Sequence, residues 1–259
     1  MFSTTEITSN TLISDNPIHQ RLFFAYWAAS QMIEGDILEI GCGLGRGLEV
    51  LFPKCNSYTA LDKNEQLIEK LQRTYPVHRF ITHYIPPLES LEDESFDFVI
   101  CFQVIEHIRN DKLLVQEIHR VLKPKGKLLL STPNIKQSLT RNPWHVREYT
   151  AESLENLLRI SFNKIEKKGV WGNEKVQKYH EENRKAVAQW KKWDFLNLEH
   201  LLPRWLLQTP YTLLNRINRN RLLKNPNALA TQIDYTDYHL TEDTEKALDL
   251  FFVAEKEQL

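Results

Sequence analysis

The chain has 259 residues, 42% of them hydrophobic and 26% charged, with a formal net charge of −1. This is globular composition: no apolar run approaches the ~20 residues of a membrane span, and the opening MFSTTEITSN has neither the basic region nor the apolar core of a signal peptide. Cys42, Cys55 and Cys101 form no CxxC pair, so buried thiols in a reducing, cytoplasmic setting are expected rather than disulfides or a cysteine-ligated zinc.

Residues 17–33 read as a helix with Pro17 in its first turn, and 36–40 (DILEI) as a short strand. A helix over 46–52, a strand over 58–61 closed by Asp62, a helix from Glu65 and a strand over 78–83 follow. Residues 96–102 (FDFVICF) are apolar except for Asp97, the pattern of a strand buried on both faces. An amphipathic helix over 111–122, a turn at 123–126 and a strand over 127–131 continue the alternation. A helix over 150–159 and a strand over 162–168 come next. Two to four helices over 174–224, a helix over 241–247 and a closing strand over 248–254 complete the reading. Alternating strands and helices predict an α/β fold: a Rossmann-like, mostly parallel seven-stranded sheet with helices on both faces and a helical insert before the last strand. The expected organisation is an N-terminal helical segment (1–34), a ligand-binding core (35–173), the insert (174–232), and a C-terminal helix with the closing strand (233–259).

Glycine is scarce, with 8 in all, about 3% against a typical ~7%. Four of them, Gly41, Gly43, Gly45 and Gly47, fall in one seven-residue stretch after the first strand and before a helix. There a glycine-rich turn lets a ligand approach the backbone and the N–H groups of the helix start. Asp62, ending the next strand, is placed to accept hydrogen bonds from ribose hydroxyls. A dinucleotide site wants G-x-G-x-x-G, and Arg46 stands at its third glycine. The observed G-x-G-x-G, preceded by acidic Glu39, favours a ligand with a cationic amino acid moiety, S-adenosylmethionine, over NAD.

Glu39-Ile-Gly-Cys-Gly-Leu-Gly45 resembles motif I of the class I S-adenosylmethionine-dependent methyltransferases. Asp62 is similar to their ribose-binding acid, Ser95-Phe-Asp-Phe-Val-Ile100 to their fourth strand, and Glu117–Gly126 to the helix and turn before the fifth. The resemblance implies that Glu39, Gly41, Cys42, Gly43, Gly45 and Asp62 hold the cofactor, with Arg21, Lys63 and Gln103 as further contacts. No carboxylate follows the third strand, so adenine is expected against Ile85 and Leu88.

Methyl transfer to a hydroxyl needs a proton acceptor, for which histidine is suited near neutral pH. His107 follows the fourth strand and His145 the fifth, both at the carboxyl edge of the sheet where ligands bind, and either is a candidate base. Some relatives hold a divalent ion through Glu-x-x-Glu-His and a later histidine. Here Gln103 replaces the first glutamate, so no metal is expected. The string FQVIEH is unlike the sequence that base-amino methyltransferases carry there, and extensive nucleic-acid binding is not expected. Residues 175–224 carry 11 Lys and Arg against 4 Asp and Glu. Within them, 195–223 interleave leucines and aromatics with Arg204, Arg216, Arg219 and Arg221, which suits either a lid on the acceptor pocket or a peripheral contact with an anionic membrane. Residues 142–150 (NPWHVREYT) and the ending from Asp237 resemble bacterial methyltransferases associated with surface-polysaccharide genes, which implies a sugar, glycan-end or lipid-linked acceptor. The alternatives are a metal-dependent RNA 2′-O-methyltransferase, a non-catalytic cofactor-binding scaffold and an NAD-dependent oxidoreductase; the oligomeric state is left open.

Overall fold

The computed structural model describes residues 15–191, 203, 206–209, 211–213, 217 and 229–258. Helix α1 (Asn16–Ser30) precedes β1 (Asp36–Ile40), a short α2 (Leu48–Leu51), β2 (Ser57–Asp62), α3 (Glu65–Thr74) and β3 (Arg79–Thr82). Then come β4 (Phe96–Phe102), α4 (Asp111–Val121), β5 (Leu122–Pro133), α5 (Ala151–Leu158) and β6 (Lys164–Gly172). Helix α6 (Glu174–Lys191) opens the insert, α7 (Leu229–Gln232) closes it, and β7 (Tyr238–Thr241) and β8 (Asp249–Glu255) end the chain. The strands form one sheet in the order β3-β2-β1-β4-β5-β8-β6-β7. The first five strands are parallel, as the alternation requires, while β8 runs antiparallel to both β5 and β6, and β7 antiparallel to β6.

Local chemistry sets the helix starts. Asn64, Asn110 and Thr150 accept backbone N–H groups from the first turns of α3, α4 and α5, satisfying donors that have no intrahelical partner. The sheet separates two apolar cores. Along β8, Phe251 enters the core beneath α1 and α3, and Phe252 enters the one beneath α4 and α5, the period of two that a doubly covered strand imposes.

Three expectations need correction. The sheet has eight strands, because Tyr238–Thr241 adds an edge strand beside β6. The helix expected over 241–247 is absent. Thr241 and Asp243 side chains take the backbone N–H groups of Asp243 and Lys246, and Asn134 binds the carbonyls of Thr244 and Ala247. These bonds offer the backbone an alternative to helix, as short polar side chains do. The turn expected at 123–126 lies inside β5, whose pairing with β4 shifts register between Phe96 and Phe98.

The insert is rooted firmly. Lys175 at the start of α6 binds Asp237 (2.6 Å) and the Gln232 carbonyl (2.9 Å), joining the way in to the way out. Asn16 of α1 donates to the Ala230 and Ile233 carbonyls at 2.8 Å each, so α1 and the insert are fixed together. The lid-or-membrane stretch at 195–223 lies largely outside the described residues, its four arginines included. Among the described residues no helix is long and apolar enough to cross a membrane.

Phe251 is fully buried where the sheet turns antiparallel. Phe251→Ala should destabilise the fold by about 3–5 kcal/mol, the usual cost of a large core truncation. Urea denaturation checks this; a loss under about 1 kcal/mol would contradict the packing described.

Candidate active site

Strand order reverses between β1, whose chain continues toward β2, and β4, which leads to β5. Ligands of open α/β sheets bind at the carboxyl ends of strands at such a switch point. A cavity of about 680 Å³ lies there, within the range of small-molecule and cofactor sites.

The glycine loop forms one wall. Gly41, Gly43 and Gly45 have φ of +76°, +52° and +75°, a region that side chains resist. A Cβ on Gly43 would meet nothing within 4 Å, so the loop turns a bare backbone edge to open space. Asp62 is held beside it: Oδ2 accepts the Gly43 N–H (2.9 Å) and Oδ1 the Asn64 N–H (2.8 Å). A carboxylate fixed by backbone donors beside an exposed glycine turn fits a ribose-bearing ligand. Gln103 also has positive φ, +57°, which costs a non-glycine residue about 1–2 kcal/mol; its N–H donates to the Ser131 carbonyl (2.8 Å) and keeps the chain in that turn.

Gly41, Cys42, Gly43, Asp62, Lys63, Gln103, Arg21, His107 and His145 all line this cavity. Glu39 and Gly45 do not. Glu39 is 1% exposed, and its two oxygens accept the Tyr26 hydroxyl (2.7 Å) and the Tyr58 hydroxyl. Burial raises its pKa against the lowering by both tyrosines. Glu39 therefore faces phenols rather than a ligand's cationic group, which corrects the direct-contact expectation. At Gly45 a side chain would strike Leu48 and Leu71, so its glycine serves packing. Ile85 lines the cavity, whereas Leu88 is sealed in the α4 and α5 core. Cys42 and Cys101 are buried, Cys55 is half-buried, and all three are free thiols.

The opposite wall comes from a turn of 3₁₀ helix at Ile105–His107 and the loop after β5. The loop is anchored by Val146 N–H on the Glu106 carbonyl (2.7 Å) and by the Tyr149 hydroxyl on Asp111 (2.8 Å). His107 Nδ1 lies 3.0 Å from the Trp144 carbonyl. A carbonyl only accepts, so Nδ1 carries a proton, and in the neutral ring Nε2 is then the basic nitrogen. Asn142 Oδ1 accepts the Trp144 N–H (3.1 Å), which turns its NH₂ toward His145 Nε2 at 2.7 Å. His145 Nδ1–H then donates to Glu148 (2.7 Å), and both of its ring nitrogens are engaged. The rings of His107 and His145 meet edge-to-face at 5.0 Å. Beneath them Glu106 accepts the Thr132 hydroxyl (2.9 Å), and burial pushes its pKa up to about 7. Glu106, His107 and His145 each bring one ligand-type atom within 4.8 Å of the others, although Thr132 already engages Glu106, the Trp144 carbonyl engages His107, and Asn142 and Glu148 engage His145.

Arg21 of α1 pairs with buried Asp249 of β8 (2.9 Å), at the far end from the glycine loop's Asp62. Sequence reasoning missed Arg46, on the cavity wall with its pKa lowered by burial, and the α6 residues Val176, His180, Asn183 and Val187. The last four recur at helical spacing, so a polar pair within an apolar stripe was a readable signal.

Residues 38–130 match the family model described as "Methyltransferase domain". The chain is 36% identical over 146 residues to a protein of Mycobacterium tuberculosis (strain H37Rv) named as a probable S-adenosylmethionine-dependent methyltransferase, covering 54% of this chain and 51% of that protein. It is 32% identical over 124 residues to the ubiquinone biosynthesis O-methyltransferase of Idiomarina loihiensis, covering 46% and 50%. The chain thus spans about half the length of the curated relatives it matches. A solved S-adenosylmethionine-dependent methyltransferase of Thermotoga maritima superimposes with a TM-score of 0.58 at 14% identity, over 93% of this chain and 91% of that one, which shows a common fold.

Glu106 has a consequence for stability. With its pKa raised from 4.5 to about 7, the folded chain keeps a proton that the unfolded chain loses, so stability falls as pH rises through that window. Between pH 4.5 and 7.5 the wild type should lose up to about 3 kcal/mol more than Glu106→Gln, at 1.36 kcal/mol per unit. Urea denaturation at the two pH values measures this; identical pH slopes would contradict it.

Proposed function

The chain carries a class I S-adenosylmethionine-dependent methyltransferase domain, and from that premise we propose that the protein methylates a hydroxyl of a small molecule, a sugar or a lipid-linked compound, with His107 as general base. The observation that supports this reading is that His107, with Nδ1 held 3.0 Å from the Trp144 carbonyl, lines the same cavity as Asp62 and the glycine loop. When bound, S-adenosylmethionine supplies an electrophilic methyl on a sulfonium sulfur.

The chain's own residues supply the rest. The backbone at Gly41, Cys42 and Gly43 meets the nucleoside, and Asp62 takes the ribose hydroxyls, with Lys63 and Gln103 as neighbouring contacts. His107 removes the acceptor proton as the hydroxyl is methylated. His145, with its nitrogens held by Asn142 and Glu148, positions the loop that carries the Trp144 carbonyl and so keeps His107 in its basic tautomer. Holding acceptor and methyl in line can supply much of the acceleration by itself. Arg21 belongs to the acceptor end, through its pair with Asp249. A dinucleotide reading is weakened by Arg46, whose side chain stands on the wall where a third glycine would admit a pyrophosphate.

Titration calorimetry should show S-adenosylhomocysteine binding to the wild type and about 10–100-fold weaker binding to Asp62→Ala, the loss of hydrogen bonds to a charged group. NADH binding in place of S-adenosylhomocysteine would contradict the cofactor assignment. His107→Ala should lower kcat by about 10²–10⁴-fold with S-adenosylhomocysteine affinity unchanged. Full turnover in that variant would remove His107 from the mechanism.

A further inference from the structure

Where it is described, the middle of the insert carries two unlike faces. Residues 206–209 and 211–213 are helical, and Tyr211 among them lines the cavity that Asp62 and His107 share. Leu207, Gln208, Tyr211 and Thr212 are half-buried, whereas Leu206, Leu213 and Ile217 are 42%, 59% and 43% exposed. Leu213 and Ile217 stand four residues apart, the spacing of one helix face. The Lys175 and Asn16 contacts fix both ends of the insert, so these bare side chains belong to a segment held beside the cavity. Single exposed apolar residues are ordinary; three within one short segment mark a surface that something covers.

The charge of the segment points to what that is. Residues 204–224 hold Arg204, Arg216, Arg219, Arg221 and Lys224 and no Asp or Glu. Cations alone would suit nucleic acid, but leucine and isoleucine turned to solvent find no partner in phosphates. A second copy meeting this face about a two-fold axis would bring like charges together. An anionic lipid surface satisfies both features, taking the apolar side chains at the acyl boundary and the cations at the headgroups.

We propose that residues 204–224 seat the protein on an anionic lipid surface through Leu206, Leu213 and Ile217, with Tyr211 on the cavity side. The seat does not rest on O-methyl transfer; where that reading holds, the seat brings a lipid-linked, hydroxyl-bearing acceptor to the cavity.

The test is co-sedimentation of the full chain with vesicles of mixed phosphatidylglycerol and phosphatidylcholine, or of phosphatidylcholine alone. The wild type should sediment with the mixed vesicles at about 0.1 M salt, and binding should weaken about tenfold at about 0.5 M salt or without the anionic lipid. The double variant Leu213→Gln, Ile217→Gln should bind the mixed vesicles about tenfold more weakly or less. Val77→Gln, at an exposed site before β3 on the opposite edge of the sheet, should bind as the wild type does. Both variants should keep the wild-type circular dichroism and melting temperature. No sedimentation of the wild type overturns the proposal, as does equal sedimentation of the double variant, which leaves charge alone as the attraction. A wild type that ignores vesicles but binds a single-stranded RNA assigns the face to nucleic acid. A wild-type dimer that the double variant dissociates in the absence of vesicles assigns it to a second copy; either result overturns the lipid seat. The cofactor assignment survives all of these outcomes and is tested separately by S-adenosylhomocysteine titration.

Discussion

The buried carboxylate of Glu39 is the constraint on which the site's geometry depends. It sits at the end of β1 and receives one hydroxyl from Tyr26 on α1 and another from Tyr58 on β2. A carboxylate taken out of water is tolerated only when its oxygens are satisfied, so neither tyrosine can leave without a large penalty. Tyr26 also presses on Gly47, where a Cβ would lie 2.1 Å from its ring. The contact therefore fixes three things together: the helix that precedes the sheet, the strand edge, and the end of the glycine loop.

That arrangement explains how one cavity acquires two chemically different ends. The end built by β1, β2 and the glycine loop is backbone and carboxylate, suited to a nucleoside. Because α1 is clamped there through Tyr26, its preceding turns carry Arg21 and Leu22 to the opposite end, where α6 and the loop after β5 complete the wall. The histidine pair lies between, held by the carbonyl of Trp144 and the side chains of Asn142 and Glu148. Fold alone decides only the first end; acceptor choice lies with the segments added to the sheet.

Legibility in the sequence followed the range of the interactions. The strand β4 was readable because a strand buried on both faces is a continuous apolar run, and it keeps that pattern at every position but Asp97. The glycine loop and Asp62 were readable because their spacing is local and their backbone demands are specific. The position of Glu39 was not, since its partners stand 13 and 19 residues away and no periodicity announces a phenol aimed at a carboxylate. The edge strand β7 escaped because four residues carry too little pattern. The false helix after it arose where helix-forming residues met side-chain bonds that hold a turn. His180 could have been noticed between Val176 and Val187 at helical spacing, but its burial is a property of the assembled walls.

Under the proposed function, the glycine loop and Asp62 hold the nucleoside with its sulfur directed toward His107. A crystal structure of the complex with S-adenosylhomocysteine tests it most directly. Both ribose hydroxyls are expected within hydrogen-bond distance of the Asp62 carboxylate, with the backbone of Gly41–Gly43 against the ligand and the sulfur on the His107 side of the cavity. A ligand whose ribose avoids Asp62, or whose sulfur points away from His107, would contradict it.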